Sequence, residues 1–432
     1  MSLPPPLPQS LPPALPVLAP ATPKVDHSSV WQLVLGIIGS LLSLLSLLGL
    51  LVIYLVSQNQ QFQSIFNQTS IPSYVWICLL LLTLSVFSIF YAARRLRGHE
   101  APVFRVTTST LLWMGGGLIV WGALLYTGYE ADSWHLPSVL AALISLLAIL
   151  LPIVILFSLG SYRLQFGSKQ RAWGLMTFSA FVSTQLAILV EMFIFLIAGV
   201  LGYFWLSHQS QFAQALSLLS HPESLTESNL STIVMRLTPL LSKPEFYLFV
   251  GLLFCLLIPL TEELFKPLGV WFLAGKKLTP VQGFTAGLVC GAVFGAFESS
   301  TIVGAATGDM WLPTVVARVG TGLLHMLTTA ISGWALAQTW QDNKFSRLSL
   351  IYLAMVTLHG VWNFFALAMA LQSLVLPINS TFLSAASSIS VWVLLGLAGF
   401  MLALLIVLNF SLRKRTTPPA MPQLSDTLNQ TI

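Results

Sequence analysis

Apolar residues run along most of this chain in long stretches that short polar segments interrupt. An apolar helix of about 20 residues crosses the ~30 Å hydrocarbon core of a bilayer. The pattern therefore predicts an all-α fold, a polytopic integral membrane helical bundle. We expect about ten transmembrane helices, at 30–56, 74–93, 108–128, 136–158, 175–206, 246–274, 280–303, 312–340, 348–372 and 389–411.

Composition agrees with this class of protein. Hydrophobic residues make up 56% of the chain and charged residues 8%, whereas an ordinary soluble domain carries about 25% charge. The net charge of +5 does not indicate a nucleic-acid partner, because the basic residues cluster in short loops between the spans. The lipid bilayer is the expected surrounding of the chain.

The loops predict an orientation. Lysines and arginines follow the second, fourth, sixth, eighth and tenth spans, whereas the other loops are neutral, acidic or mixed. The positive-inside rule then puts both termini in the cytoplasm. We divide the chain into a disordered Pro-rich tail (1–28), five N-terminal membrane helices (29–206), an extracytoplasmic loop (207–245), four spans rich in polar residues (246–372), a last span (373–412) and a cytoplasmic tail (413–432).

The sixth span contains two adjacent carboxylates and a lysine, Glu262, Glu263 and Lys266. Each ionisable group near a bilayer centre costs at least ~2.5 kcal/mol, so three together indicate a site. Lys266 can pair with either carboxylate, at i, i+3 or i, i+4. A purely structural pair would leave the second glutamate without a partner, free to act as a base near neutrality. Pro259, one turn earlier, frees the carbonyl of Cys255 and predicts a kink or an opening.

The next three spans carry further polar residues. Glu298 shares a face of the seventh span with glycines spaced by four residues, so we expect it to point into the protein. Arg318 and His325 share a face of the eighth span. His359 and Asn363 lie one turn apart on the ninth span, and they supply an imidazole that can relay a proton and an amide that can donate to an oxyanion.

These residues, in order and spacing, resemble the PrsW family of intramembrane proteases, which belongs to the same broad group as the CAAX-prenyl endopeptidases. The resemblance covers about 246–372 and implies a four-helix catalytic core. The family's motifs match Glu262-Glu263-Leu264-Phe265-Lys266, Phe294-Gly295-Ala296-Phe297-Glu298, Arg318 through His325, and His359 through Asn363.

The resemblance implies an intramembrane peptidase that hydrolyses peptide bonds of membrane-protein substrates with a glutamate-activated water. One of Glu262 and Glu263 is then the general base, and Lys266 holds the other. The implied catalytic residues are Glu262, Glu263, Glu298, His325, His359 and Asn363, and those for charge pairing or substrate binding are Lys266 and Arg318.

The resemblance also raises the question of a metal. Proteins of this family are often labelled metalloproteases, and glutamate and histidine ligands suit zinc. The candidate ligands are Glu298, His325 and His359. A metal-free glutamate mechanism is equally compatible with these residues. The substrate types that the resemblance implies are an anti-sigma-type membrane protein or a prenylated protein, in a prokaryotic plasma membrane.

Two other classes of function fit the intramembrane charges. A proton- or ion-coupled transporter would use the same residues as a relay, but the two halves show no sequence repeat. A non-catalytic membrane scaffold would only neutralise the glutamates. The fifth span adds one carboxylate, Glu191, which either lines the same cavity or pairs with a neighbouring hydroxyl.

Overall fold

The computed structural model of the protein describes residues 27–58, 70–100, 102–210, 212, 239, 243–306, 308–373 and 381–416. Within these residues there are ten helical segments long and apolar enough to cross a membrane, which confirms the predicted helical membrane bundle. The predicted tails and loop, 1–28, 207–245 and 413–432, lie mostly outside the described residues, so these parts of the domain division stay predictions.

Capping residues mark the start of two of the first five segments. Thr107 and Thr110 form a capping box at one start, and Ser168 Oγ accepts the Arg171 N–H at another, which satisfies otherwise free donors. The segments are α1 (His27–Ser57), α2 (Ile71–Leu96), α3 (Thr108–Tyr129), α4 (Ser138–Ser161), and a fifth built from α5 (Lys169–Phe178), a π-helical turn (Ser179–Ser183) and α6 (Thr184–Ser207).

The sixth segment is interrupted, whereas the last four are continuous helices. A π-helical turn lies just before Pro259, at the point where that proline removes a backbone donor. The segments are α7 (Pro244–Leu252), the π-helical turn (Leu253–Leu257), α8 (Ile258–Phe265) and α9 (Leu268–Trp271), followed by α10 (Pro280–Ala305), α11 (Trp311–Asp342), α12 (Phe345–Ser373) and α13 (Thr381–Thr416).

The core of the bundle is the pair α10 and α11. Glycines of α10 let the two backbones touch, because a Cβ atom at Gly283, Gly287 or Gly291 would collide with a carbonyl oxygen of α11. Buried side chains of α4 and α13, such as Ile149 and Leu405, pack against this pair. The arrangement fixes the depth of α11 relative to α10, and with it the position of His325.

Candidate active site

Helix α8 presents its two adjacent glutamates to the interior of the bundle, and both are buried. The π-helical turn that precedes α8 packs closely on α12, since a Cβ at Gly360 would collide with the carbonyl oxygen of Cys255. Asn363 Nδ2 donates to the carbonyl oxygen of Phe254 in the same turn, at 3.0 Å. Helix α12 therefore supports the irregular backbone that leads into Glu262 and Glu263.

Glu263 is held by three donors on one oxygen. Its Oε1 accepts from Lys266 Nζ at 2.5 Å, from His359 Nδ1 at 2.9 Å and from Thr328 Oγ1 at 3.2 Å. Because a carboxylate only accepts, His359 in its neutral form carries its proton on Nδ1 and a lone pair on Nε2. Lys266 and Glu263 are fully buried side chains, so this pair is an internal anchor and not a surface ion pair.

Glu262 differs sharply from its neighbour. Its Oε2 is buried and has no hydrogen-bond partner among the described residues. Three nitrogens surround this oxygen without bonding to it: Lys266 Nζ at 3.7 Å, His325 Nδ1 at 3.6 Å and His359 Nε2 at 3.9 Å. Glu263 Oε2 also has no hydrogen-bond partner among these residues, so the two carboxylates differ in that Glu263 is held through its other oxygen, Oε1.

Glu298 orients His325 from the neighbouring helix. Its Oε2 accepts from His325 Nε2 at 2.6 Å and forms an ion pair with Arg318 Nη2 at 2.8 Å, while Arg318 Nε donates to Ser299 Oγ at 3.0 Å. The neutral His325 ring thus carries its proton on Nε2 and directs the Nδ1 lone pair toward the α8 residues. Lys266 Nζ lies 3.0 Å from that Nδ1 atom.

The described structure brings most of the predicted site residues into one hydrogen-bonded and ion-paired network. Asn363 instead donates its amide N–H to the backbone carbonyl oxygen of Phe254. Two groups were given no role by sequence reasoning: Thr328, which donates to Glu263, and Tyr352, whose hydroxyl donates to the carbonyl oxygen of Leu260 at 2.7 Å. Tyr352 lies seven residues before His359 on α12, a spacing that places both on one helix face.

The residues at this network fit a divalent metal. Glu262, His325 and His359 each offer one ligand atom, and these atoms lie within 4.8 Å of one another. The other ring nitrogen of each histidine contacts a carboxylate, as is usual for metal-binding histidines. The donor set suits zinc. The ligands predicted from the sequence were Glu298, His325 and His359, whereas this group contains Glu262 and not Glu298. Metal binding by Glu298 stays a prediction.

A buried network of carboxylates, histidines and a lysine inside a helical membrane bundle is typical of membrane proteins with a functional site inside the bilayer. The model of the PrsW family, described as PrsW family intramembrane metalloprotease, matches residues 172–398, just over half of the 432-residue chain. The chain belongs to the PrsW family. Comparison with the curated proteins and with the solved structures found no match.

Family membership has direct consequences. The protein is an integral multi-pass membrane protein and a peptide hydrolase that acts on membrane-protein substrates. Membership of this family confirms the predicted protease class, and not the transporter or the scaffold that the sequence also allowed. The matched region begins in α5 and ends in α13, so it includes every residue of the network described above.

Proposed function

We propose that Glu262 is the carboxylate that accepts the proton of the water that attacks the substrate peptide bond. The observation that carries this assignment is the contrast between the two glutamates. Three donors hold Glu263 through Oε1 and leave only its Oε2 without a partner, whereas the three nitrogens nearest to Glu262 Oε2 stay at 3.6, 3.7 and 3.9 Å. A carboxylate whose charge is already stabilised by three donors is a weak base, and one without donors is a strong base.

Glu263 and Lys266 serve as the anchor of the site. Lys266 reaches Glu263 at 2.5 Å and His325 at 3.0 Å, so it ties α8 to α11. Glu263 in turn fixes His359 through Nδ1 and leaves Nε2 directed at Glu262. When the tetrahedral intermediate collapses, Glu262 returns its proton to the leaving amine nitrogen, and the lone pair of His359 Nε2, 3.9 Å from Glu262 Oε2, can relay it.

The metal that the family description implies would be held by Glu262, His325 and His359, and Glu262 would then act as a ligand in place of a free base. A zinc ion bound there would supply Lewis-acid activation of the water and of the substrate carbonyl. Glu298 and Glu263 would keep the two histidines oriented through their other ring nitrogens. Since Lys266 Nζ lies 3.0 Å from His325 Nδ1, the ammonium and the metal compete for that nitrogen.

The remaining roles follow from contacts with the backbone. Asn363 supports the π-helical turn through its bond to Phe254, and we assign it a positioning role for α8 in place of the oxyanion role expected from the sequence. The basic loops after the even-numbered spans support cytoplasmic termini, and a prokaryotic plasma membrane stays the proposed location. An anti-sigma-type membrane protein or a prenylated protein remains the proposed substrate type, and 246–372 the proposed catalytic core.

The test compares membrane proteomes of cells that express the wild-type protein or Glu262→Gln. We expect membrane-protein fragments with new termini in the wild-type sample, and full-length forms of the same proteins with Glu262→Gln. Glu245→Gln, a change of an exposed carboxylate at the start of α7, is the matched control and should behave like wild type. Identical fragments in the wild-type and Glu262→Gln samples would contradict the proposal.

The metal content of the purified protein tests the role of Glu262 separately. One bound zinc in the wild type, reduced in Glu262→Gln and His359→Ala, supports a role as ligand. A wild-type protein that is active without metal supports Glu262 acting alone as the base.

A further inference from the structure

Glu191 is a carboxylate on α6, a helix with a largely exposed apolar surface. Its neighbours on α6, Leu189, Met192 and Phe193, are exposed on the surface of the bundle. An ionisable residue inside a membrane span is normally retained for a function. The hydrogen bonds of the site described above do not use Glu191.

The contacts of α6 with the π-helical turn and with α8 place Glu191 close to the active site. The ring of Phe195 lies 5.7 Å from the ring of Phe254 in the π-helical turn, and α6 packs on α8. Glu191 lies one turn before Phe195 on α6, and the sixth segment runs in the opposite direction. The step of one turn along α6 from Phe195 to Glu191 therefore runs in the same direction as the step along the sixth segment from Phe254 toward Glu262.

Electrostatic interactions agree with this position. Glu191 interacts with Glu298 and Lys266, and Glu262 interacts with Glu191. Yet Glu191 Oε1 is buried and accepts no hydrogen bond within the described residues. Among these residues, no hydroxyl donates to this oxygen, so the expected pairing with a neighbouring hydroxyl is not made there. The other expectation, that Glu191 lines the cavity of the active site, is favoured.

A free acceptor beside an intramembrane peptidase site matches a need of the substrate. A transmembrane helix satisfies its backbone donors internally. Before a peptide bond inside the helix can be attacked, that helix must open, and the freed N–H groups then need acceptors because no bulk water is present. A buried carboxylate oxygen without a donor provides such an acceptor.

We propose that Glu191 is a substrate-binding residue of this site, and that its Oε1 accepts backbone N–H groups of the substrate segment that unwinds next to Glu262. The inference rests on the proposed function. Its alternative, a residue that only stabilises α6, predicts that removal of the carboxylate lowers the stability of the protein. The substrate-binding role predicts stability equal to or above that of wild type, since a buried acceptor without a donor destabilises the free enzyme.

The test uses proteoliposomes and a peptide with one transmembrane helix of Leu, Ala and Gly residues, flanked by a fluorophore and a quencher. Glu191→Leu removes the acceptor and Glu191→Gln keeps an amide oxygen. We expect KM to rise about tenfold in Glu191→Leu with kcat within about twofold of wild type. In Glu191→Gln, the rise should stay below about threefold. Met192→Leu, at an exposed position of α6, is the matched control.

The outcomes distinguish failure of the proposed Glu191 role from failure of the proposed peptidase function. An unchanged KM in Glu191→Leu, a loss confined to kcat, or a lower melting temperature would overturn the role of Glu191 while wild-type cleavage upholds the peptidase. A Glu191→Gln variant as impaired as Glu191→Leu would also overturn it, because a basic side chain and not a backbone donor would then be bound. If wild type and Glu262→Gln both fail to cleave the peptide and the membrane proteome, the proposed function itself fails.

Discussion

Helices α10 and α11 and helix α3 show how differently two parts of one membrane bundle are built. In each of the spans of α10 and α11, 61% of the most apolar stretch is buried inside the protein. In α3, none of the corresponding stretch is buried. A Cβ added to Gly287 on α10 would collide with the carbonyl oxygen of Thr329, but one added to Gly116 on α3 meets no atom within 4 Å. Gly287 thus has a packing role, whereas Gly116 has none.

The difference explains where the chemistry lies. Charged groups inside a membrane protein almost always face the interior of the bundle, where other polar groups surround them. The close α10–α11 contact brings Glu298 to His325 and lets Lys266 reach both α8 and α11. Helix α3 has an exposed apolar surface and no comparable group, so within the described part of the chain the active-site network belongs to the tightly packed region.

The largest expected effect is on catalysis in that region. Glu262→Gln removes the free carboxylate and should lower kcat by about 10³-fold, the middle of the range for a general base. The melting temperature should stay at or above that of wild type, because Glu262 Oε2 has no internal donor to lose. Cleavage assays and thermal unfolding of the same preparation measure both values. A rate within tenfold of wild type would assign the base elsewhere.

The next effect is on stability. Lys266→Met removes the cation that holds Glu263, and the loss of one partner of a buried pair costs about 3–5 kcal/mol. We expect a lower melting temperature in detergent as well as loss of cleavage. Lys277→Met, at an exposed lysine in the loop after α9, should change neither. If the buried Lys266→Met variant melts like wild type, the anchor role of Lys266 is wrong.

The smallest effect tests the two glycines directly. Gly287→Ala should lower the free energy of unfolding by about 1–3 kcal/mol, because the α10 and α11 backbones must separate. Gly116→Ala should be neutral or slightly stabilising, since alanine is the better helix former. Thermal unfolding of the two variants side by side measures the difference. Equal melting temperatures would mean that the α10–α11 contact is looser than described.

The sequence was enough to predict the spans and the glutamates, histidines, lysine and arginine of the network, for physical reasons. Apolar length alone determines which segments cross a bilayer, and the cost of buried charge makes Glu262, Glu263 and Lys266 stand out. Which glutamate pairs with Lys266 could not be predicted, since spacings of three and four residues are both favourable. The choice depends on Thr328 and His359, donors from two other helices that converge on Glu263.

Asn363 shows a second limit. Its spacing from His359 placed it beside the reacting groups, but a π-helical turn in the sixth segment offers a nearer acceptor at Phe254. Pro259 signals an irregular backbone at this point. It does not specify which freed carbonyl will take a side-chain donor, because that depends on how α12 packs against the turn.

The position of the cut in a substrate tests the central claim most directly. The carboxylate–histidine network lies inside the bundle on membrane-spanning helices. Mass spectrometry of a membrane protein cleaved by the purified enzyme in liposomes should find the new terminus inside the apolar transmembrane segment of the substrate, and no product with Glu262→Gln. New termini only in loops outside the bilayer, or unchanged products with Glu262→Gln, would contradict the account.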